Sequence, residues 1–234
     1  MKKYRLLSII IPVYNEAKTV NSVLNLVLKT KLNIKKEIIA VNDGSTDFSQ
    51  DIINKFIKTH PKTNIKLLSK SNGGKGSAVK LGIKKAKGNI VIIQDADLEY
   101  DPNDYEKCIR PIINKECKVV YGSRVLEKTN KEYSHLSFLI GGKLITLFTN
   151  LLFGSKLTDE PTCYKTFDAN LIKSIKINGD KFDWEPEVTA KILRRGIRIK
   201  EVPIKYYPRT LKQGKKINWK DGLSAIFNLI KYRF

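Results

Sequence analysis

The feature that most constrains this chain is a regular alternation in its first half. Leu6–Val13 is a continuous, Ile-rich apolar run, the pattern of a strand covered on both faces. Residues 16–30 then repeat apolar positions at helical spacing, with Val20, Val23, Leu24 and Val27 on one stripe. Short apolar runs recur at 37–41, 65–68, 90–93 and 119–121. Helical patterns fill 46–60, 77–86 and 104–114 between them. Strands that alternate with helices across short loops build βαβ units, so the expected fold class is α/β with a mostly parallel central sheet. Such sheets bind ligands beyond the carboxyl ends of their strands. The residues that follow each strand are therefore the functional candidates.

Beyond residue 124 the pattern loosens. A polar stretch at 127–134 reads as a loop and an apolar segment covers 137–153. Residues 155–167 have strand-like ends, a helix is expected at 185–195, and 197–207 alternates like a pair of strands. A basic loop over 209–216 leads into a closing amphipathic helix. The expected organisation is a domain over 1–208, with 209–234 as its basic loop and C-terminal amphipathic helix in the same unit. The 234 residues suit one large domain.

Charge narrows the partners. Forty-four Lys and Arg against 23 Asp and Glu leave a formal charge of +21, which calls for an anionic partner. Thirteen of those bases, against two acids, fall in residues 191–234. Only eight of the 44 are Arg, the residue whose planar fork base and phosphate readers favour, so nucleic acid is not expected as a partner. Three cysteines without a Cys-x-x-Cys pair, and two isolated histidines, argue against disulfides and zinc and fit a reducing cytoplasm. The run at 6–13 ends in Pro-Val-Tyr-Asn-Glu with no cleavage site, which is not a signal peptide. The run at 137–153 is interrupted by Lys143 and Asn150 and falls short of the ~20 residues a spanning helix needs.

Carboxylates gather at the strand ends of this very basic chain. Strand one is followed by Tyr14-Asn-Glu16, strand two by Asp43-Gly-Ser-Thr-Asp47, and strand four by Asp95-Ala96-Asp97-Leu-Glu99. Asp95 and Asp97, two apart, offer hard oxygens to Mg²⁺ or Mn²⁺, which bind through one or two carboxylates plus substrate phosphates. A polar turn before a helix has the same composition. Asp43 at a strand tip suits either a nucleobase N–H or a turn. Asn72-Gly-Gly-Lys75-Gly opens a helix, and helix N-termini with glycines bind phosphate, although no Walker or dinucleotide fingerprint is present.

Taken together and in order, Pro12-x-Tyr14-Asn-Glu16, Asn-Asp43-Gly-Ser-Thr-Asp, Asn-x-Gly-Lys75-Gly, Asp95-Ala-Asp97 and Gly-Ser-Arg124 resemble the family 2 glycosyltransferases of the GT-A fold. Within them the chain looks most like the polyprenyl-phosphate (dolichyl-phosphate) mannosyl- and glucosyltransferase branch. Asp159-x-Pro-Thr-Cys-Tyr-Lys, Phe182-x-Trp-Glu-Pro-Glu and Tyr-Pro-Arg209 extend the likeness over the C-terminal half. The resemblance implies that Pro12, Tyr14, Glu16, Asp43, Lys75, Asp95 and Ala96 hold the nucleotide sugar. Asp95, Asp97 and Glu99 would hold the metal, and Arg124, Arg209 and Lys215 would face phosphates. Lys212 and Gly214 depart from the branch's phosphate loop, and the long transmembrane tail of many relatives is not expected here.

The implied reaction moves a hexose from a UDP-glucose- or GDP-mannose-type donor to a polyprenyl or dolichyl phosphate, with inversion and with Mg²⁺ or Mn²⁺ as cofactor. Asp97, Asp159 and Arg124 are the expected catalytic residues, with Asp159 as base should the acceptor be a hydroxyl. The expected place is the cytosolic face of a membrane, held peripherally on its anionic surface by the apolar 137–153 segment and the last helix. Three alternatives share parts of the pattern: transfer to a saccharide hydroxyl, nucleotidyl transfer, and a basic nucleic-acid-binding module. A nucleotidyltransferase would want glycines after strand one, and a nucleic-acid binder leaves the gathered carboxylates unexplained.

Overall fold

In the computed structural model, residues 4–130, 136–209 and 219–234 are described. Seven strands form one sheet in the order β3-β2-β1-β4-β6-β5-β7. β1 (Leu6–Val13), β2 (Lys35–Asp43), β3 (Ile65–Lys70) and β4 (Ile90–Ile93) run parallel. α1 (Val20–Lys29), α2 (Ser49–Thr59) and α3 (Lys75–Lys85) connect them. α4 (Tyr105–Ile113), entered through a short 3₁₀ turn at Pro102–Asp104, leads to β5 (Val119–Ser123). Ile9, Ile10, Ile11, Ile38, Ile39 and all of β4 are fully or almost fully buried, as expected for strands covered on both faces.

The second half corrects two expectations. The 155–167 stretch yields only β6 (Lys165–Asp168), which inserts antiparallel between β4 and β5. A five-residue α6 (Ala169–Lys173), capped by Asp168, follows it. The expected strand pair at 197–207 is one strand, β7 (Ile199–Pro203), parallel to β5, and Tyr206 bridges singly to Tyr100. The sheet is thus mostly parallel with one reversed strand. α5 (Leu136–Phe153), α7 (Trp184–Arg194) and α8 (Trp219–Arg233) complete the chain. Tyr232 ties α8 to α7: its carbonyl accepts from Arg194 and Lys191 lies over its ring. Among the described residues, no helix is long and apolar enough to cross a membrane.

Candidate active site

The carboxyl ends of β1, β2 and β4 lie side by side, because Val13 pairs with Asn42 and Ile10 with Ile93 in register. That register brings Glu16, Asp43, Asp95 and Asp97 to one edge of the sheet. Asn15, at φ 52°, turns the chain sharply after β1, and its side-chain oxygen accepts the Thr46 amide. Glu16 is thereby aimed inward, while Tyr14 stays 39% exposed at the rim.

Two cations neutralise this edge. The Lys75 ammonium sits 2.8 Å from Asp95 and 2.9 Å from Glu185. Burial alone would push it down; the carboxylates of Asp95 and Glu185 outweigh burial and hold its pKa well above the ordinary value. The Arg209 guanidinium spans Asp97 at 2.9 Å and Glu16 at 3.3 Å. Asp97 is nevertheless pushed up to about 7, first by burial and then by the neighbouring Asp95 and Glu99 charges, with Arg209 only partly offsetting them. Five carboxylates, Glu16, Asp95, Asp97, Glu99 and Glu185, thus meet two cations, Lys75 and Arg209. Hard oxygens in such surroundings fit a divalent cation.

The fit is limited in one respect. Among the described residues, no group of three metal-ligating side chains converges. Glu99, expected as a third ligand, instead holds the chain that follows β7. Its carboxylate accepts the Arg209 amide at 2.6 Å and its carbonyl accepts the Tyr207 amide at 2.8 Å. Asp95 and Asp97 alone would give a cation too few ligands, and water or a bound ligand would supply the further oxygens.

The glycine-rich segment also differs from expectation. Gly73 and Gly74 donate their amides to Asp43, which also accepts from Lys70 at 2.7 Å. Gly76 and Ser77, in the first turn of α3, donate to the carbonyls of Lys181 and Asp180. These amides face protein acceptors, not a phosphate. The glycines serve close approach: a Cβ on Gly76 would meet the Gly179 carbonyl at 2.6 Å. Asp43 accordingly shapes the 71–74 turn from the β2 tip, with three donors upon its carboxylate.

Arg124 and Asp159 form a two-pronged pair, Nε to Oδ2 at 2.7 Å and Nη2 to Oδ1 at 2.6 Å. The Arg124 amide also donates to Oδ2. A carboxylate so engaged and 3% exposed has no free oxygen directed at an acceptor, which speaks against Asp159 as a general base. Tyr206 stacks on the Arg124 guanidinium at 5.0 Å. Arg209, expected in a free phosphate loop, is built into the carboxylate edge; Lys215 lies outside the described residues. Pro12 is the penultimate residue of β1, and the Ala96 carbonyl accepts from Thr19 at 2.6 Å.

Sequence reasoning passed over Glu185, Lys70 and Tyr206. Lys70 carried a signal, its position at the end of β3. Glu185 stood in a quoted motif, but its partner Lys75 lies 110 residues away, beyond any local pattern.

Comparison with known proteins places this geometry. The UDP-N-acetylglucosamine–dolichyl-phosphate N-acetylglucosaminyltransferase of Methanococcus voltae is 28% identical over an alignment that covers 97% of this chain and 95% of that one. The dolichyl-phosphate β-glucosyltransferase of Dictyostelium discoideum is 27% identical, over 97% of this chain and 74% of its own. Among solved structures, glucosyl-3-phosphoglycerate synthase of Mycobacterium tuberculosis, crystallised with Mn²⁺, UDP and phosphoglyceric acid, superposes with a TM-score of 0.73. That match spans 98% of this chain and 78% of that one at 16% identity, a likeness of fold. The model for glycosyl transferase family 2 matches residues 8–175, which takes in most of β1 and all that follows to α6, with Glu16, Asp43, Asp95, Asp97 and Glu99. The chain belongs to that family.

Proposed function

We propose that this enzyme transfers a hexose from a nucleotide-diphosphate sugar, of the UDP-glucose or GDP-mannose type, to a polyprenyl or dolichyl phosphate. It works at the cytosolic face of a membrane, with Mg²⁺ or Mn²⁺ as cofactor, and nucleic acid is no part of its task. The observation that carries the reading is the juxtaposition at one sheet edge of the aspartate pair Asp95 and Asp97 with Lys75 on the first and Arg209 on the second. The relatives that act on dolichyl phosphate support the acceptor class.

An acceptor phosphate oxygen attacks the anomeric carbon as the bond from that carbon to the donor diphosphate breaks. The pair of electrons leaves with the nucleoside diphosphate, and one such displacement inverts the centre. When bound, the divalent cation supplies charge stabilisation to the departing diphosphate. Asp95 and Asp97 would hold it. Lys75 carries its charge into the same place, fixed by Asp95 and Glu185. Pro12, Tyr14, Glu16, Asp43 and Ala96 line the side where the nucleoside would lie. A phosphate acceptor is already ionised and needs no base. The engagement of Asp159 by Arg124 favours it over a hydroxyl acceptor, and assigns the pair to positioning the 157–161 loop.

Mass spectrometry of the product formed from a mixed nucleotide-sugar pool and polyprenyl phosphate tests the reading. A hexosyl phospholipid is the expected product. Hydrolysis or no transfer with the lipid, alongside transfer to a saccharide, overturns it.

A further inference from the structure

The aspartates that would hold a divalent ion already hold cations of the chain's own. Both oxygens of Asp95 face the Lys75 ammonium, at 2.8 and 3.1 Å. Asp97 accepts the Glu99 amide on Oδ1 at 3.1 Å and the Arg209 guanidinium on Oδ2 at 2.9 Å. A metal ion and a guanidinium repel each other at such range, so the two compete for Asp97.

The two resident cations are not equally well seated. Lys75 lies between Asp95 and Glu185 and over the Phe182 ring at 5.6 Å, which gives it a second carboxylate and an aromatic face. Arg209 reaches its second carboxylate, Glu16, only at 3.3 Å. Its buried Nε has no hydrogen-bond partner among the described residues. A buried donor left unpaired is costly, which favours an arrangement that frees it. The backbone does not oppose such a change. The Arg209 amide is pinned by the Glu99 carboxylate at 2.6 Å and the Tyr207 amide by the Glu99 carbonyl at 2.8 Å, so the side chain can swing from a fixed point.

We infer that Arg209 takes the divalent cation's place at Asp97, and that the metal displaces it in company with a nucleoside diphosphate, not ahead of it. The inference rests on the proposed nucleotide-sugar reading and adds an order of binding to it. Charge sets the order. A metal ion arriving alone takes Asp97 from the guanidinium and supplies no other anion, which leaves a partly buried charge under-paired. A diphosphate supplies that anion: its oxygens serve the metal and the released guanidinium together. Metal and nucleotide therefore strengthen each other's binding through Arg209, and each binds weakly alone.

The test reads metal binding, not turnover. Binding of Mn²⁺ to the full chain is titrated by electron paramagnetic resonance, with and without UDP. The parent is set beside Arg209→Met, which keeps the length and loses the charge, and Arg209→Lys, whose single ammonium does not bridge Asp97 and Glu16. Without UDP, Arg209→Met should bind Mn²⁺ about tenfold more tightly than the parent, and the gain that UDP brings to Mn²⁺ binding should shrink by the same factor. Arg209→Lys should fall between, and decides the matter alone if the methionine variant fails to fold. Adding Asp97→Asn to either variant should abolish the gain. Unchanged or weaker Mn²⁺ binding without UDP in the variants overturns the inference, as does a gain that survives Asp97→Asn. A parent that binds no Mn²⁺ even with UDP counts against both readings. Failure of transfer to polyprenyl phosphate, with the exchange at Asp97 intact, counts against the proposed reaction alone.

Discussion

Asp43 shows how much internal structure a single carboxylate can hold. It is 2% exposed, and its two oxygens receive Lys70, Gly73 and Gly74. Removing one partner of a buried charged pair costs about 3 kcal/mol or more. Asp43→Asn should therefore lower the unfolding free energy by about 3 kcal/mol in urea titration and weaken nucleotide binding with it. Weakened binding at full stability would assign the carboxylate to the base instead. Asp97 has the opposite character. Its neighbours leave it short of positive charge, so substitution relieves the resting protein while removing a site for a cation. Asp97→Ala should cut turnover by about 100- to 1000-fold and abolish the Mn²⁺ dependence of UDP binding in calorimetry, with no loss of melting temperature. Asp159→Asn separates base from positioner. A lost base would delete the acidic limb of the pH–rate profile. A loosened Arg124 lowers the rate and leaves the limb in place, and the paired geometry predicts the second outcome.

At the scale of elements, α3 is held by contacts that its sequence does not advertise. The Gly76 Cα faces the carbonyls of Gly179 and Lys181, 2.6 and 2.8 Å from where a Cβ would stand. Gly76→Ala should cost about 1–3 kcal/mol by overpacking, read as a lower urea midpoint with an unchanged slope. Helix propensity alone would have made the same change stabilising. β1 through β5 and the four helices among them were legible because a strand buried on both faces is a continuous apolar run, and each covering helix is striped. β6 was not, since Lys165 is fully buried yet reads as a surface residue; its ammonium lies over the Tyr121 ring and bonds the Glu160 carbonyl. β7 reads as two strands because Tyr206 continues the alternation past Pro203 without joining the ladder. The carboxylate edge was legible residue by residue from its place after each strand. The identity of the opposing cations was not, because Lys75–Glu185, Arg124–Asp159 and Arg209–Glu16 span 35 to 193 residues.

For the molecule as a whole, the decisive question is whether residues 209–234 form one cooperative unit with the sheet. Arg209 places a guanidinium between Glu16, which follows β1, and Asp97, which follows β4, and its amide closes on Glu99. Deleting it leaves three carboxylates at one edge without their main counter-charge. α8 buries Leu229 completely and Ala225 and Asn228 nearly so, and Tyr232 joins it to Asn178, Lys191 and Arg194 at α7. α7 in turn carries Glu185 to Lys75 and Glu187 to the amides of Asn178 and Gly179. Burying a single Leu contributes about 1.5–3 kcal/mol, so these contacts together represent several kcal/mol. In a domain of this size each kcal/mol moves the melting point by about 2–4 °C. A chain ending at residue 208 should thus melt at least about 5 °C lower, in a single transition, and lose UDP binding in parallel. Calorimetry on both chains checks this. An unchanged melting point, or two separable transitions in the full chain, would make the C-terminal segment an appendage and leave the neutralisation of the aspartates to the sheet edge alone.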